Sequence, residues 1–289
     1  MSPLRTRFAP SPTGYLHIGH SFAADQVRQT ATRLGAQCLL RIENIDTVRC
    51  LPEFDAALIE DLRWIGFTWD GEIRRQSAHF DVYHQSLEAL AAKGLVYRCF
   101  KTRKDIAEDI ARAPHHPGEG PEGTIYPGPT TPISKEEEAE RLAQGEAFAW
   151  RLSMRAARDY LGTAFDALSF EETGGGPEGE IGTLPARADQ LGDVILGRKD
   201  VGTSYHLACT HDDHHQAISH IVRGRDLFFA TGLHRLLQTL MGWDQPIYHH
   251  HRLLLDKDGK RFAKRERSLT LRSLREGGAS AQDVRAYWR

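Results

Sequence analysis

The chain has 289 residues, 40% of them hydrophobic and 26% charged, which is enough to bury a sizeable core and excludes disorder throughout. A formal net charge of −2 lacks the basic surplus of a protein that grips nucleic acid by charge alone, so an RNA substrate would need a locally basic face and only modest affinity. Four scattered cysteines (Cys38, Cys50, Cys99, Cys209) read as free thiols of a reducing compartment, and neither a membrane-spanning apolar run nor a signal-peptide core is present, so a cytoplasmic soluble protein is expected.

Leu4–Ala9 reads as a short strand before a turn holding Pro10, Pro12 and Gly14. Ala23, Val27, Ala31 and Leu34 fall at helical spacing and predict a helix over His20–Leu34, stopped by Gly35. Cys38–Glu43 (CLLRIE) has the apolar character of a buried parallel strand. A second helix fits Pro52–Ile65, with Pro52 in its first turn and Phe54, Leu58, Leu62 and Ile65 on one face. A third fits Asp81–Lys93, and Leu95–Tyr97 returns as a strand. This alternation predicts an α/β fold with a mainly parallel sheet.

Composition shifts near residue 100. Ala113–Pro132 reads as a long loop, Ser134 and Glu137 form a capping-box pattern for a short helix, and Phe148, Trp150, Leu152 and Met154 alternate as a half-buried strand. Another loop, Glu171–Gly182, holds the run Gly174–Gly176. The α/β pattern resumes with Asp193–Leu196 and Tyr205–Cys209, followed by a helix over Asp226–Met241. Two short helices are predicted from Ser268. The expected division is 1–98 with 190–243 as the parallel-sheet domain, 99–189 as an insertion, and 244–289 as a loop and helical region.

The segment Arg7–His20, RFAPSPTGYLHIGH, is the most informative. It places His17 and His20 where a glycine-containing turn enters a helix after the first strand. The first βα turn of a doubly wound sheet is a ligand site, and a helix N-terminus presents free N–H groups to an anion. Gly14 and Gly19 allow a ligand close to the backbone, and imidazoles there can hydrogen-bond phosphate oxygens whose charge changes in a displacement. These residues point to a nucleotide phosphate site.

The tetrapeptide HIGH at 17–20 resembles the first signature of the class I aminoacyl-tRNA synthetases, and the longer FAPSPTGYLHIGH is similar to their glutamyl branch. Asp258–Arg265 (DGKRFAKR) resembles the family's lysine-bearing KMSKS loop; Arg261 and Ala263 depart from the pattern and Lys264 keeps it. The resemblance implies a Rossmann-like catalytic domain with an inserted acceptor-type subdomain. It implies His17, His20 and Lys264 as catalytic, and His17, Gly19, His20 and Lys264 at ATP. Glutamate would be held by Arg7, Phe8, Ala9, Pro10, Ser11, Glu43, Tyr205 and Arg223. Glu43 is expected on the α-ammonium, Arg7 and Arg223 on carboxylates, and Tyr205 as a hydroxyl partner. ATP and Mg²⁺ are the implied cofactors.

The histidine-rich stretches at 211–215 and 249–251 invite a metal reading, but HDDHHQAISHIVRG and PIYHHHRLLL resemble family stretches without metal, so none is expected there. Close relatives hold structural zinc through CxC and YxxxC. Only Cys99 and Tyr126 of that set remain, and one thiolate with a phenol does not make a structural site, so zinc is not expected. Lys264 is followed by 25 residues (289 − 264), and the anticodon-binding region of full glutamyl enzymes is expected to be absent. The implied activity is ATP-dependent activation of L-glutamate and its transfer to the queuosine base in the anticodon loop of tRNA(Asp), by a monomer without membrane contact. Two other readings compete: a stand-alone enzyme charging a tRNA 3′ end, and a non-catalytic glutamate or nucleotide sensor.

Overall fold

Strands β1 (Arg5–Phe8) and β2 (Gln37–Ile42) pair in parallel, with helix α1 (Ile18–Leu34) connecting them. The computed structural model describes residues 3–112, 118–121, 123–129, 131–254 and 270–288. Helix α1 stops where Gly35 takes φ 61°, a left-handed conformation that favours glycine. Helix α2 (Pro52–Trp64) begins on Pro52 and carries Glu53 and Asp55 in its first turn, where the helix dipole favours acids. Strand β3 (Arg74–Arg75) then pairs in parallel with β2, and α3 (Phe80–Ala92) follows.

The chain continues through β4 (Val96–Cys99), α4 (Arg103–Arg112), β5 (Glu119–Gly120), β6 (Gly123–Thr124), α5 (Lys135–Ala143), β7 (Ala149–Leu152), α6 (Met154–Leu161) and α7 (Thr163–Asp166). Next come β8 (Ser169–Glu172), β9 (Gly182–Pro185), β10 (Ile195–Gly197), α8 (Tyr205–His215), β11 (His220–Gly224), α9 (Ala230–Met241) and β12 (Ile247–His251). Helices α10 (Leu271–Glu276) and α11 (Ala281–Ala286) end the described chain.

Strands β11, β12 and β8 pair in parallel, with β9 antiparallel at the edge. Strand β11 starts beside β1: Ser219 N donates to Arg5 O at 3.0 Å, and Arg5 N donates to Ser219 Oγ at 2.9 Å. The two sheets, in the orders β3-β2-β1 and β11-β12-β8-β9, therefore meet side by side at β1 and β11. Neighbours on β11 face opposite sides: Ile221 joins an apolar cluster with Leu87, Leu207 and Leu236, and Val222 joins one with Leu16, Leu40 and Leu62. Each fully buried leucine contributes about 1.5–3 kcal/mol. Helices thus cover both faces of a parallel sheet, the Rossmann-like arrangement whose ligands bind at the carboxyl ends of the strands.

The segment Leu95–Tyr97, read as a returning strand of the βα alternation, lies in a second, antiparallel sheet. There β7 pairs with both β4 and β10. Strand β8, inside the span 99–189, pairs with β12 of the main sheet instead. Tyr205–Cys209 opens helix α8, capped by Ser204. The C-terminal helices return to the first βα unit: Leu271 N donates to Leu16 O at 2.8 Å, and Trp288 Nε1 to Ser21 Oγ at 3.2 Å. Among the described residues no helix is long and apolar enough to cross a membrane.

Candidate active site

The HIGH turn is built by its own side chains. His17 is the N-cap of α1, and its Nδ1 accepts from Gly19 N at 3.0 Å. His20 Nδ1 accepts from His17 N at 3.1 Å, completing a capping box. With each Nδ1 accepting an N–H, an uncharged ring in either place carries its proton on Nε2. Gly19 is required by the same geometry, because a Cβ would stand 2.9 Å from His17 Cε1. Lys264, Arg261 and Ala263 lie outside the described residues. The chain on either side of them is fixed at this turn: Leu254 packs with Ile18 and Phe22, and Thr270 bridges to His17.

Next to the turn, β1 and β2 carry a buried charge cluster. Arg7 grips Asp213 with both arms, Nε to Oδ1 at 2.8 Å and Nη2 to Oδ2 at 3.2 Å. Arg41 Nη1 reaches the same Asp213 Oδ1 at 2.7 Å, and its Nη2 reaches Glu43 Oε1 at 3.1 Å. Burial pushes the Asp213 carboxyl up, but the two guanidiniums more than offset this and hold it below its ordinary value. Burial dominates at Glu43, whose carboxyl is raised despite Arg41 and Arg7. Cys209 lies against both arginines, 3.4 Å from Arg41 Nη2, and burial pushes its thiol up to about 12, so it stays protonated.

The turn residues before the histidines contribute mainly backbone. Phe8 is buried edge-on against Phe67 at 5.5 Å, and Pro10 O accepts Glu43 N at 3.0 Å. That bond ties the FAPSP segment to the end of β2. Ser11 is exposed, and its carbonyl accepts Thr13 N at 2.9 Å. Tyr205 begins α8, and its ring lies 5.9 Å from that of His234. Burial, then the nearby Cys209 and Glu43, raise its phenol well above the usual value.

Arg223 on β11 stands apart electrostatically. It is buried, and its Nε donates to His250 Nε2 at 3.0 Å and its Nη1 to His234 Nδ1 at 3.1 Å. Its Nη2 donates to Leu227 O at 3.1 Å and Thr231 Oγ1 at 2.7 Å. Burial holds His250 down at about 4, and burial with the Arg223 charge holds His234 well below its usual value, so both are neutral at pH 7. All four acceptors are therefore uncharged. Of the five guanidinium donors these bonds use four, leaving one Nη1–H. A buried cation met only by neutral groups is arranged to take an anion.

The structure thus brings Arg7, Glu43, Tyr205, Arg223, His17 and His20 to the carboxyl edge of one parallel sheet. Sequence reasoning missed Arg41, Cys209, Asp213, His234, His250 and Glu172 as members. Arg41 was visible as the one cation inside the run CLLRIE, and Cys209 follows Tyr205 by one helical turn. Glu172 gave no signal, because Glu171 beside it looks the same in sequence. Cys99 and Tyr126 are buried and line a cavity of about 510 Å³ together with Tyr97, Pro127 and Asp193. Among the described residues no three His, Cys, Asp or Glu side chains converge as a metal site.

A Rossmann-like sheet whose first helix is capped by an HIGH turn defines a class I synthetase core. The model of the catalytic domain of class I tRNA synthetases (E and Q) matches residues 3–284, and the chain belongs to that family. It is a ligase. Over nearly its whole length it is similar to a protein named Glutamyl-Q tRNA(Asp) synthetase from Rhodobacter capsulatus, with 44% identity over 97% of this chain and 98% of that one. A glutamate–tRNA ligase of Coprothermobacter proteolyticus is 32% identical over 95% of this chain and 55% of its own length. A solved glutamate tRNA ligase from Elizabethkingia meningosepticum, in complex with its amino acid, superposes with a TM-score of 0.73 at 27% identity. That match covers 92% of this chain and 52% of that structure, so this chain spans about half of it.

Proposed function

We propose that this ligase activates L-glutamate with ATP and transfers it to the queuosine base in the anticodon loop of tRNA(Asp). The observation that carries the substrate class is Arg223, a buried guanidinium whose acceptors are all neutral and which keeps one donor for a carboxylate. The acceptor rests on the end-to-end likeness to the Rhodobacter capsulatus protein and its name.

In the first step a carboxylate oxygen of glutamate attacks the α-phosphate of ATP, forming a mixed anhydride as pyrophosphate leaves. The Nε2–H groups of His17 and His20 donate to the phosphate oxygens, and Lys264 neutralises the charge that builds on the leaving pyrophosphate. Gly19 keeps the backbone at the turn free of a Cβ. Mg²⁺ belongs to the substrate, carried on the phosphates as in other nucleotide-using enzymes. Glu43 takes the α-ammonium, and its raised carboxyl gains a counter-charge when it does. Arg223 takes a carboxylate with its remaining Nη1–H. Arg7, already gripped by Asp213, has one Nη1–H beyond its weak 3.4 Å contact to Val222 O and acts as a secondary partner. On this reading Tyr205 would flank the glutamate beside Glu43, with the backbone of Phe8–Ser11 next to it. In the second step a hydroxyl of the queuosine cyclopentene diol attacks the acyl carbon and AMP leaves.

The test is incubation with ATP, Mg²⁺ and labelled glutamate in the presence of tRNA(Asp) with or without queuosine, or of tRNA(Glu). Label confined to the queuosine-bearing tRNA supports the proposal. Label on tRNA(Glu) makes the protein a 3′-end charging enzyme, and the absence of both label and pyrophosphate exchange makes it a sensor.

A further inference from the structure

Beyond Arg223, a second buried charge has no place in the chemistry above. Glu172, at the end of β8, is 0% exposed and sits in a cage of N–H donors. Its Oε1 accepts Gly174 N at 2.7 Å, Gly175 N at 3.0 Å and His250 N at 3.0 Å. Its Oε2 is 2.5 Å from His250 Nδ1. Burial alone would raise this carboxyl, but the bonds from His250 and Gly175 outweigh it and bring it to about 2. Glu172 is therefore an acceptor only, and the proton on His250 must lie on Nδ1. That leaves His250 Nε2 with a lone pair, and it is this atom that accepts from Arg223 Nε at 3.0 Å.

We infer that Glu172 is a positioning residue for Arg223, acting through the tautomer of His250 to aim the guanidinium at the substrate carboxylate. The inference rests on the reading of Arg223 as a glutamate ligand. The line Glu172–His250–Arg223 crosses three adjacent strands, β8, β12 and β11, so the sheet itself fixes the spacing. Thr231 Oγ1 holds Nη2 at 2.7 Å and His234 Nδ1 holds Nη1 at 3.1 Å, so the Nε contact sets the last rotational freedom of the plane. The alternative tautomer would place an Nε2–H against the Arg223 Nε–H, donor facing donor, and turn the plane away. A histidine oriented by a carboxylate is the same device that sets the ligating nitrogen in metal sites. Here the group being presented is a guanidinium. The backbone cage explains the glycines: a Cβ on Gly174 would stand 2.4 Å from His250 O.

The test uses E172Q, which keeps the shape and an acceptor for the Gly174 and Gly175 amides but turns an NH₂ toward His250 Nδ1. That donor forces the other tautomer. Pyrophosphate exchange with the full chain should show a KM for glutamate raised about tenfold or more, the worth of one charge-assisted hydrogen bond, with kcat and the KM for ATP changed much less. The nitrogen-15 shifts of His250 should report the tautomer change directly. A second variant separates positioning from simple structural support. In H250Q the amide oxygen can occupy the place of Nε2 and accept from Arg223 without help from Glu172, so adding E172Q to H250Q should raise the KM no further. A merely structural Glu172 would give additive effects, and that result, or a KM within twofold of the parent in E172Q with its tautomer reversed, overturns the inference. R223K serves as the control on the underlying reading. If R223K leaves the KM for glutamate unchanged, Arg223 is not the ligand and both fall. If R223K raises it and E172Q does not, only the positioning role fails.

Discussion

Replacing Asp213 by asparagine tests whether the charge cluster under the site is a sealed unit. Asp213 accepts three hydrogen bonds from guanidiniums, Arg7 Nε at 2.8 Å, Arg7 Nη2 at 3.2 Å and Arg41 Nη1 at 2.7 Å, beside a longer one from Cys209 Sγ at 3.7 Å. The side chains of Arg7, Arg41 and Asp213 are 4%, 0% and 3% exposed, so water cannot take over these contacts. In the native cluster two guanidiniums face two carboxylates, Asp213 and Glu43. The asparagine keeps the shape but leaves two buried cations on one anion, and its NH₂ points a donor at one of them. Breaking a buried pair in this way costs about 3–5 kcal/mol. Against a total stability of about 5–15 kcal/mol this is a large fraction, readable as a shift of the urea midpoint at unchanged slope. The Glu43 carboxyl should fall at the same time, because Asp213 repels it and the arginines turn toward it. A loss below about 1 kcal/mol would refute the reasoning, since it would mean that the cluster is hydrated or relaxes freely.

Three further outcomes follow from local geometry. G19A puts a methyl 2.9 Å from His17 Cε1, so the ring must give way, and the KM for ATP in pyrophosphate exchange should rise about tenfold with little change in melting temperature. K264A should lower exchange by about 100-fold or more while calorimetric binding of glutamate is retained, because the role proposed for Lys264 is on the phosphates. The third concerns acid. His250 is held at about 4 against an ordinary 6.5, so between these values the unfolded chain binds a proton that the folded one refuses, and stability falls as pH drops, by about 3 kcal/mol across the window. Glu172, at about 2 against 4.5, adds a further loss as pH falls from 4.5 through 2. Urea melts at pH 7 and pH 4.5 should show this decline, and H250Q should flatten the upper part of it.

The elements of the first βα units were legible because their stop signals are local. Gly35 takes a positive φ where the helix ends, and Pro52 opens the next helix where its missing N–H costs nothing. Sheet membership was not legible. Leu95–Tyr97 reads as a returning strand of the α/β alternation and Glu171–Gly182 as a loop, yet the first joins an antiparallel sheet with β7 and Glu172 ends a strand that pairs in parallel with β12. Pairing is decided by contacts with strands 50 to 80 residues away, such as Cys99 with Ala149 and Glu172 with Tyr248, which no local pattern records. The same holds at the site. His17, Gly19 and His20 can be read together because they bond to one another across a single turn. Asp213 and Glu172 act on arginines more than 50 residues away, so only the fold reveals them.

The site's two arginines are consequently not equivalent, although the sequence treats them alike. Arg7 is bidentate to a carboxylate of the protein, and Arg41 and Glu43 complete a cluster whose charges cancel. An incoming carboxylate gains little there, because it must compete with Asp213 for the same guanidinium. Arg223 bonds only to neutral acceptors and meets the Glu172 carboxylate only through the His250 ring, so no carboxylate of the protein competes directly for its guanidinium and the gain on binding is correspondingly larger. Glu43 is paired on one side only, through Oε1 to Arg41 at 3.1 Å, and burial keeps its carboxyl raised despite that pair, so a cation on it still adds a counter-charge. On the proposed function, a zwitterion with an extra carboxylate would bind with its ammonium toward Glu43 and a carboxylate toward Arg223, and Arg7 would serve chiefly to hold the floor of the site. On that argument R223K should raise the KM for glutamate more than R7K, whereas R7K should cost more stability. The reverse ranking would mean that Asp213 yields Arg7 to the substrate.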